Sequence, residues 1–367
     1  MPPKVVVNGR FLVQPLSGMQ RFAEELLTAL DHLLDSDPAL LESIGAPVVM
    51  VPPGDARSPP WRHLQIVQVG RHKGHLWEQV DLAIAARNSL LLNLTASGPL
   101  LHSRSVLVLH DAAIFAHPEH FSRKYLLWHR FLRPRIANRA LKLGTVSHFS
   151  KSELAKWCKV PESKFVVLYD SAEHILECTP EPEVINRNGL ESGRFALTVG
   201  NQSPNKNIPL AVQAFLNAAP PEWKLAVVGG GANNVFGETV NINSNRVVRL
   251  GRISDGELRA LYESAGLFLF PSRYEGFGVP PLEAMSLGCP VVSSDSSAMP
   301  EVLGNAAAYF PSNDIDSFSN RIQELTAPLA PTDQFRKEGH LRAKKYTWAN
   351  SAAELANLLR SMCVERT

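Results

Sequence analysis

The feature that most constrains this chain is its rhythm. Short runs of β-branched and aliphatic residues alternate with longer amphipathic segments along nearly the whole sequence. Apolar runs of strand length, bounded by turn residues and separated by helical stretches, build βαβ units, and these build parallel sheets covered on both faces. The expected strands fall into two sets: 4–8, 47–51, 90–93, 105–110, 143–146 and 165–168, then 195–199, 224–228, 247–250, 267–270, 290–293 and 307–310. Two sets predict an α/β protein of two doubly wound, Rossmann-like domains. The length of 367 residues agrees, since it exceeds what one hydrophobic core usually fills. The Pro-rich segment beginning Cys178-Thr-Pro-Glu-Pro-Glu marks the linker. The expected division is 1–178, 179–348, and a helix over 349–367 that packs back on the first domain.

Composition excludes several classes. A net charge of +2 is too small to make nucleic acid a partner. Cys158, Cys178, Cys289 and Cys363 are far apart and form no CxxC pair, which argues against a disulfide framework or a metal knuckle. The N-terminus runs directly into a strand without the pattern of a secretion signal. No apolar run approaches the roughly 20 residues needed to cross a bilayer. The expectation is a cytoplasmic protein, soluble or peripheral on the inner face of a membrane.

In doubly wound folds, ligands bind outside the carboxyl ends of the strands. In Phe270-Pro-Ser-Arg-Tyr-Glu-Gly-Phe-Gly-Val-Pro-Pro-Leu-Glu-Ala-Met285, a strand ends, a glycine-rich loop follows, and a helix is expected near Pro280. Gly276 and Gly278 allow the backbone to approach a ligand closely. Free N–H groups and the positive helix end favour an anion there. Glu275 and Glu283 flank this cradle; carboxylates repel phosphate and suit sugar hydroxyls. In Val199-Gly-Asn-Gln-Ser-Pro-Asn-Lys-Asn-Ile, Lys206 is placed to neutralise a diphosphate as a point charge. Ser254 and Glu257 predict a capping box opening a helix. Gly229-Gly-Gly-Ala-Asn-Asn reads as a loop, because Asn234 stands where a dinucleotide fingerprint needs its third glycine.

Glu275-x7-Glu283, within this long motif, resembles the signature of retaining glycosyltransferase family four, and the likeness covers nearly the whole chain. The resemblance implies the GT-B fold: two facing doubly wound domains with an interdomain cleft, the N-terminal one for the acceptor and the C-terminal one for a nucleotide-sugar donor. It implies that Glu275 contacts donor sugar hydroxyls and that Glu283 holds the ribose. The backbone of Gly276, Phe277, Gly278 and Val279 would then approach the sugar and diphosphate. The loop at Lys206 is similar to the family's Gly-Arg/Thr-x-x-Pro-x-Lys-Asn segment. Asn201 stands where the family often carries Arg, which leaves Lys206 as the main cation and Arg273 as a candidate second one. By the same resemblance, the turn at Gly251-Arg252 faces the base, and Gly18 of Gly18-Met-Gln-Arg21 approaches the diphosphate. His110, followed by Asp111 at a strand end, would lie at the active site without serving as the base. Leu76-Trp-Glu-Gln79 and Val146-Ser-His-Phe-Ser-Lys151 look like family landmarks that serve packing. Asp170-Ser171 stands where the family usually has Asn-Gly, before Glu173-His174.

Residues 121–142 carry seven Lys/Arg and no acid, with Leu127, Trp128 and Phe131 interleaved. Arg123, Lys124, Trp128, Arg130 and Arg133 are therefore expected on a surface that meets an acceptor or anionic lipid headgroups. A solvated basic helix face is the plainer reading, and Pro134 argues against one long helix. The implied reaction is hexosyl transfer with retention, from a nucleotide diphosphate sugar to a glycan or polyprenyl-diphosphate-linked acceptor. GDP-mannose is favoured as donor, ahead of UDP-sugars. Closure of the domains would position the acceptor and exclude water. No metal or other cofactor is expected: Asp35-Ser-Asp37 reads as a helix end and Asp314-Ile-Asp316 as an N-terminal cap. A sugar-nucleotide epimerase, a glycogen- or sucrose-synthase-like enzyme (for which the chain is short) and a non-catalytic sugar-binding protein are the rival readings.

Overall fold

The computed structural model describes residues 3–201, 203–230 and 244–364. The chain divides into two compact units, Met1–Asp170 with Trp348–Thr367, and Ser171–Thr347. The division falls earlier than the expected 178/179. The Pro-rich segment after Cys178 is not the crossover, because the short helices Glu173–Glu177 and Glu183–Arg187 around it pack within the second unit.

The first unit is built on a parallel seven-stranded sheet, β1 (Val5–Asn8), β2 (Val48–Val51), β3 (Gln65–Gln68), β4 (Leu90–Asn93), β5 (Ser105–Val108), β6 (Lys142–Thr145) and β7 (Phe165–Val167), in the order β3-β2-β1-β4-β5-β6-β7. Six of the seven strands coincide with the expected apolar runs, because both sheet faces are covered; β1, β4 and β5 are buried along their whole lengths. β3 is the exception. Its residues, Gln-Ile-Val-Gln, form a mostly exposed edge strand, so no apolar run announces it.

The second unit repeats the plan with β8 (Phe195–Val199), β9 (Lys224–Val228), β10 (Val247–Gly251), β11 (Leu267–Phe270), β12 (Val291–Ser294) and β13 (Ala307–Phe310), ordered β10-β9-β8-β11-β12-β13. Phe310 and Phe318 stack at 3.9 Å between ring centroids in its core, beside Phe215 and Leu225. Each such fully buried side chain contributes about 1.5–3 kcal/mol of transfer free energy.

The helices used below are α1 (Gly18–Ser36), α2 (Arg123–Arg139), α3 (Ile208–Ala218), α4 (Asp255–Ser264), α5 (Val279–Ser286) and α6 (Trp348–Val364). α6 packs on α1 within the first unit. Phe22 and Trp348 meet edge-on at 5.6 Å, and Arg360 donates to Asp37 at 2.9 Å. Against the expectation, α2 runs unbroken through Pro134. The proline removes one backbone donor, and Arg135 Nη1 donates to the Phe131 carbonyl in the same turn at 2.8 Å.

Candidate active site

Each sheet changes direction once. In the second, β8 has β9 on one side and β11 on the other, so the chain leaves the sheet's middle in opposite senses and opens a crevice at the carboxyl ends of β8 and β11. Lys206 follows β8 through a 3-10 turn at Pro204–Lys206, and Glu275 follows β11. The two meet there: Lys206 Nζ donates to Glu275 Oε1 at 2.7 Å, with side chains 16% and 15% exposed. The loops are tied backbone to backbone. Arg273 N donates to the Asn205 carbonyl at 2.7 Å, and Asn205 Nδ2 donates to the Tyr274 carbonyl at 3.2 Å. Ser297 Oγ accepts from Glu275 N at 2.9 Å, which fixes the glutamate's backbone. Neither Asn205 nor Ser297 was singled out from sequence.

Gly278 caps α5 with φ +96°, and a Cβ there would lie 2.4 Å from Met299 Cε. The dihedral favours glycine, and a side chain there would have to displace the end of Met299. Phe277 is buried, edge-on to Tyr346 at 5.3 Å, so its side chain packs while its backbone forms the loop. Val279 opens α5 as expected. Glu283, one helical layer on, is in a different setting. It is 6% exposed; Oε1 accepts from His174 Nε2 at 2.8 Å and Oε2 from the Tyr262 hydroxyl at 2.9 Å. Burial and this carboxylate together push the Tyr262 pKa well above the ordinary phenol value, so it stays a donor.

Asn201 is exposed and folds its Oδ1 onto Ser203 N at 3.1 Å, while Arg273 Nε is held by Asn313 Oδ1 at 2.6 Å. Gly251, at φ +67° with open space where a Cβ would stand, and Arg252 are exposed at the end of β10. Gly229 lies so close to the end of β8 that a Cβ would come 1.7 Å from the Gly200 carbonyl oxygen. The loop expected after it, including Asn234, lies outside the described residues. The capping box is present: Ser254 Oγ accepts from Glu257 N, and Glu257 Oε2 from Ser254 N. Asp314 caps its helix through Asp316 N and Ser317 N.

The first sheet reverses between β1 and β4. There Asn8 Nδ2 donates to Glu78 Oε1 at 2.9 Å and to Asn93 Oδ1 at 3.1 Å. Glu78 is fully buried and also accepts from Ser97 Oγ at 2.8 Å and His75 Nδ1 at 3.1 Å, and it pairs with Arg10 Nη1 at 3.1 Å. Burial pushes its pKa up, but these partners outweigh that and hold it below the ordinary carboxylate value. The Leu76-Trp-Glu-Gln79 landmark is therefore more than packing. Trp77 fills the core, whereas Glu78 is the hub of a charged network assembled from three separate segments, 8–10, 75–78 and 93–97.

His110 sits just past β5. Its Nε2 donates to the Leu94 carbonyl at 2.9 Å, its ring lies edge-on to Phe22 at 4.7 Å, and burial lowers its pKa. It is therefore a neutral imidazole with Nδ1 as an acceptor. Gly18 opens α1 with open space where a Cβ would stand. On α2, Arg123, Lys124, Trp128 and Arg130 are exposed, as are Leu127 and Phe131. Arg133 is not on that surface. It is 7% exposed, because positions 129, 132, 133, 136, 137 and 140 form the helix face that turns inward.

The model of the family "Glycosyl transferases group 1" matches residues 181–340. The O-antigen chain mannosyltransferase B of Escherichia coli is 31% identical over 268 residues, 69% of either chain. This chain belongs to that glycosyltransferase family. The Salmonella typhimurium O-antigen chain mannosyltransferase RfbU is 28% identical over 334 residues, 88% of this chain and 90% of its own. Among solved structures, the sucrose-phosphate synthase of Thermosynechococcus elongatus superposes with a TM-score of 0.74 at 16% identity, over 98% of this glycosyltransferase and 99% of that chain. WaaG, a glycosyltransferase involved in lipopolysaccharide biosynthesis, gives 0.68 at 15% identity, over 97% and 99%. The fold is thus the GT-B type, two doubly wound units in one chain. Among the described residues no helix is long and apolar enough to cross a membrane.

Proposed function

We propose that the chain is a retaining hexosyltransferase that moves mannose from GDP-mannose onto a glycan acceptor in polysaccharide synthesis. The observation that carries this reading is the Lys206–Glu275 pair at the carboxyl ends of β8 and β11. A cation and an acceptor-only carboxylate, side by side next to the N-terminus of α5, match the two halves of an activated sugar. Lys206 and the helix end meet the diphosphate, and Glu275 accepts from sugar hydroxyls. Glu283 takes the ribose, and the backbones of Gly251 and Arg252 take the base. As the bond from the sugar carbon to the phosphate oxygen breaks, the bond to the acceptor oxygen forms. The acceptor proton passes to the departing phosphate, whose charge Lys206 stabilises. On this reading the reaction needs no metal.

Mannose is favoured by the two O-antigen mannosyltransferases among the relatives. A UDP-sugar is the second reading, favoured by the fold's likeness to Anabaena HepE, whose solved structure holds UDP and glucose (TM-score 0.70, 18% identity, 98% of this chain and 99% of that one). The exposed Arg123, Lys124, Trp128 and Arg130, with Leu127 and Phe131, suit peripheral contact with an anionic membrane bearing a lipid-linked acceptor. A thermal-shift panel of nucleotides tests the donor: GDP should raise Tm by several degrees more than UDP, CMP or ADP at equal concentration. Equal, negligible shifts for all four would remove the donor assignment.

A further inference from the structure

The inner face of α2 is not purely apolar. Leu132, Ile136, Ala137 and Ala140 pack into the first unit, and His129 and Arg133, four apart on the same face, are buried among them at 7% exposure each. Among the described residues neither side chain has a hydrogen bond or an ion pair; His129 Nδ1 and Arg133 Nε are enclosed and unpartnered. So are Arg10 Nε and Asn93 Nδ2, at the ends of β1 and β4. His129 and Arg133 adjoin the Glu78 network: the His129 ring lies 6.0 Å from that of His75, which bonds Glu78 beside Arg10.

Such a concentration of unused donors is costly, because a buried donor without an acceptor loses its water and gains nothing. The charge is unbalanced as well. Glu78 neutralises Arg10, but no carboxylate is paired with Arg133 among the described residues. An enclosed Nε on a cation with no carboxylate partner is a setting that an anionic ligand would complete. The place fits: through His75 and Glu78 these groups adjoin Asn8 at the end of β1, where the first sheet reverses and a ligand crevice is expected. Two half-exposed aromatic rings stand beside it: Tyr125 lies 4.1 Å from His129 and Trp128 5.8 Å from His75.

We propose that this crevice binds a phosphoryl group carried by the acceptor, held by Arg133 and His129 beside the rings of Tyr125 and Trp128. Donors come from an imidazole and a guanidinium one helical turn apart on α2 rather than from one planar fork. That suits the several oxygens of a phosphoryl group better than the two of a carboxylate. The proposal rests on the function above only in assigning the anion to the acceptor. Its test involves neither donor nor turnover, so its failure would leave the transferase reading intact.

The experiment uses the full chain carrying Lys206→Met, which removes the cation of the second crevice, with inorganic pyrophosphate and geranyl diphosphate as probes. Pyrophosphate should raise Tm and bind in calorimetry, and adding Arg133→Met should weaken that binding at least roughly ten-fold. Arg133→Met alone should melt about 2–4 °C higher, because it removes an unpaired buried charge. His129→Leu, a second variant, should also weaken pyrophosphate. Geranyl diphosphate binding much more tightly than pyrophosphate would point to a lipid-linked acceptor; equal binding would point to a soluble phosphorylated one. Arg133→Met that melts lower, or fails to fold, makes the arginine structural and overturns the proposal. So does pyrophosphate binding that ignores both substitutions.

Discussion

The two crevices share a plan and differ in how they treat charge. In the second unit a cation and a carboxylate meet on loops, each about one-sixth exposed, in a pair that a ligand can compete for. In the first, Glu78 is sealed inside and saturated by Asn8, Ser97, His75 and Arg10, while the unused donors belong to its neighbours. The same topology thus places one glutamate where it can exchange partners and another where it cannot. The lesson is that a carboxylate at a sheet's reversal point can serve either chemistry or architecture. Between Glu275 and Glu78, exposure and the number of bonds already made separate the two.

Three measurements bear on this contrast. The largest effect expected is on Glu78: Glu78→Ala leaves Arg10 buried without its partner and should cost about 3–5 kcal/mol of stability, read by chemical denaturation. A loss below about 1 kcal/mol would show the network to be dispensable and end the contrast. Glu275→Ala should do the reverse. Transfer should fall about 100- to 1,000-fold while Tm barely moves, because a part-exposed pair contributes little to stability. Freed from its carboxylate, Lys206 should hold a nucleoside diphosphate at least as tightly as before. Near-normal turnover would remove Glu275 from the chemistry.

The smallest effect is on pH. Burial and the nearby cations lower the His129 pKa from 6.5 to about 4, and burial lowers those of His110 and His102 too. Between those values the unfolded chain takes up a proton that the folded one refuses. Stability should therefore be full above pH 6.5 and fall as pH drops toward 4. His129→Gln should flatten that slope in a series of melts across the same window, and an unchanged slope would show that His129 does not set it.

The fold was largely legible because buried parallel strands write themselves as apolar runs, and the loop that carries Glu275 because its parts are contiguous; Lys206, which meets it, comes from a segment 69 residues away. Strand, loop, Glu275, Gly278 and α5 follow one another in sixteen residues of sequence, from Phe270 to Met285. The first crevice left no such trace. Asn8, Arg10, His75, Glu78, Asn93, Ser97, His129 and Arg133 come from distant segments that only the topology joins. Arg133 was misread for a related reason. In a stretch with seven basic residues, charge suggests solvent, whereas helical spacing from Leu132 and Ile136 points the residue inward. Tyr262 and His174, which hold Glu283, were equally invisible as its partners.

The return of α6 to the first unit makes the order of synthesis matter. The last helix of that unit emerges from the ribosome only after the whole of Ser171–Thr347, so a nascent first unit must wait with the face of α1 that receives Trp348 uncovered. The second unit, complete before α6 is made, can reach its native state earlier. The unit whose strands are made first is therefore the one closed last.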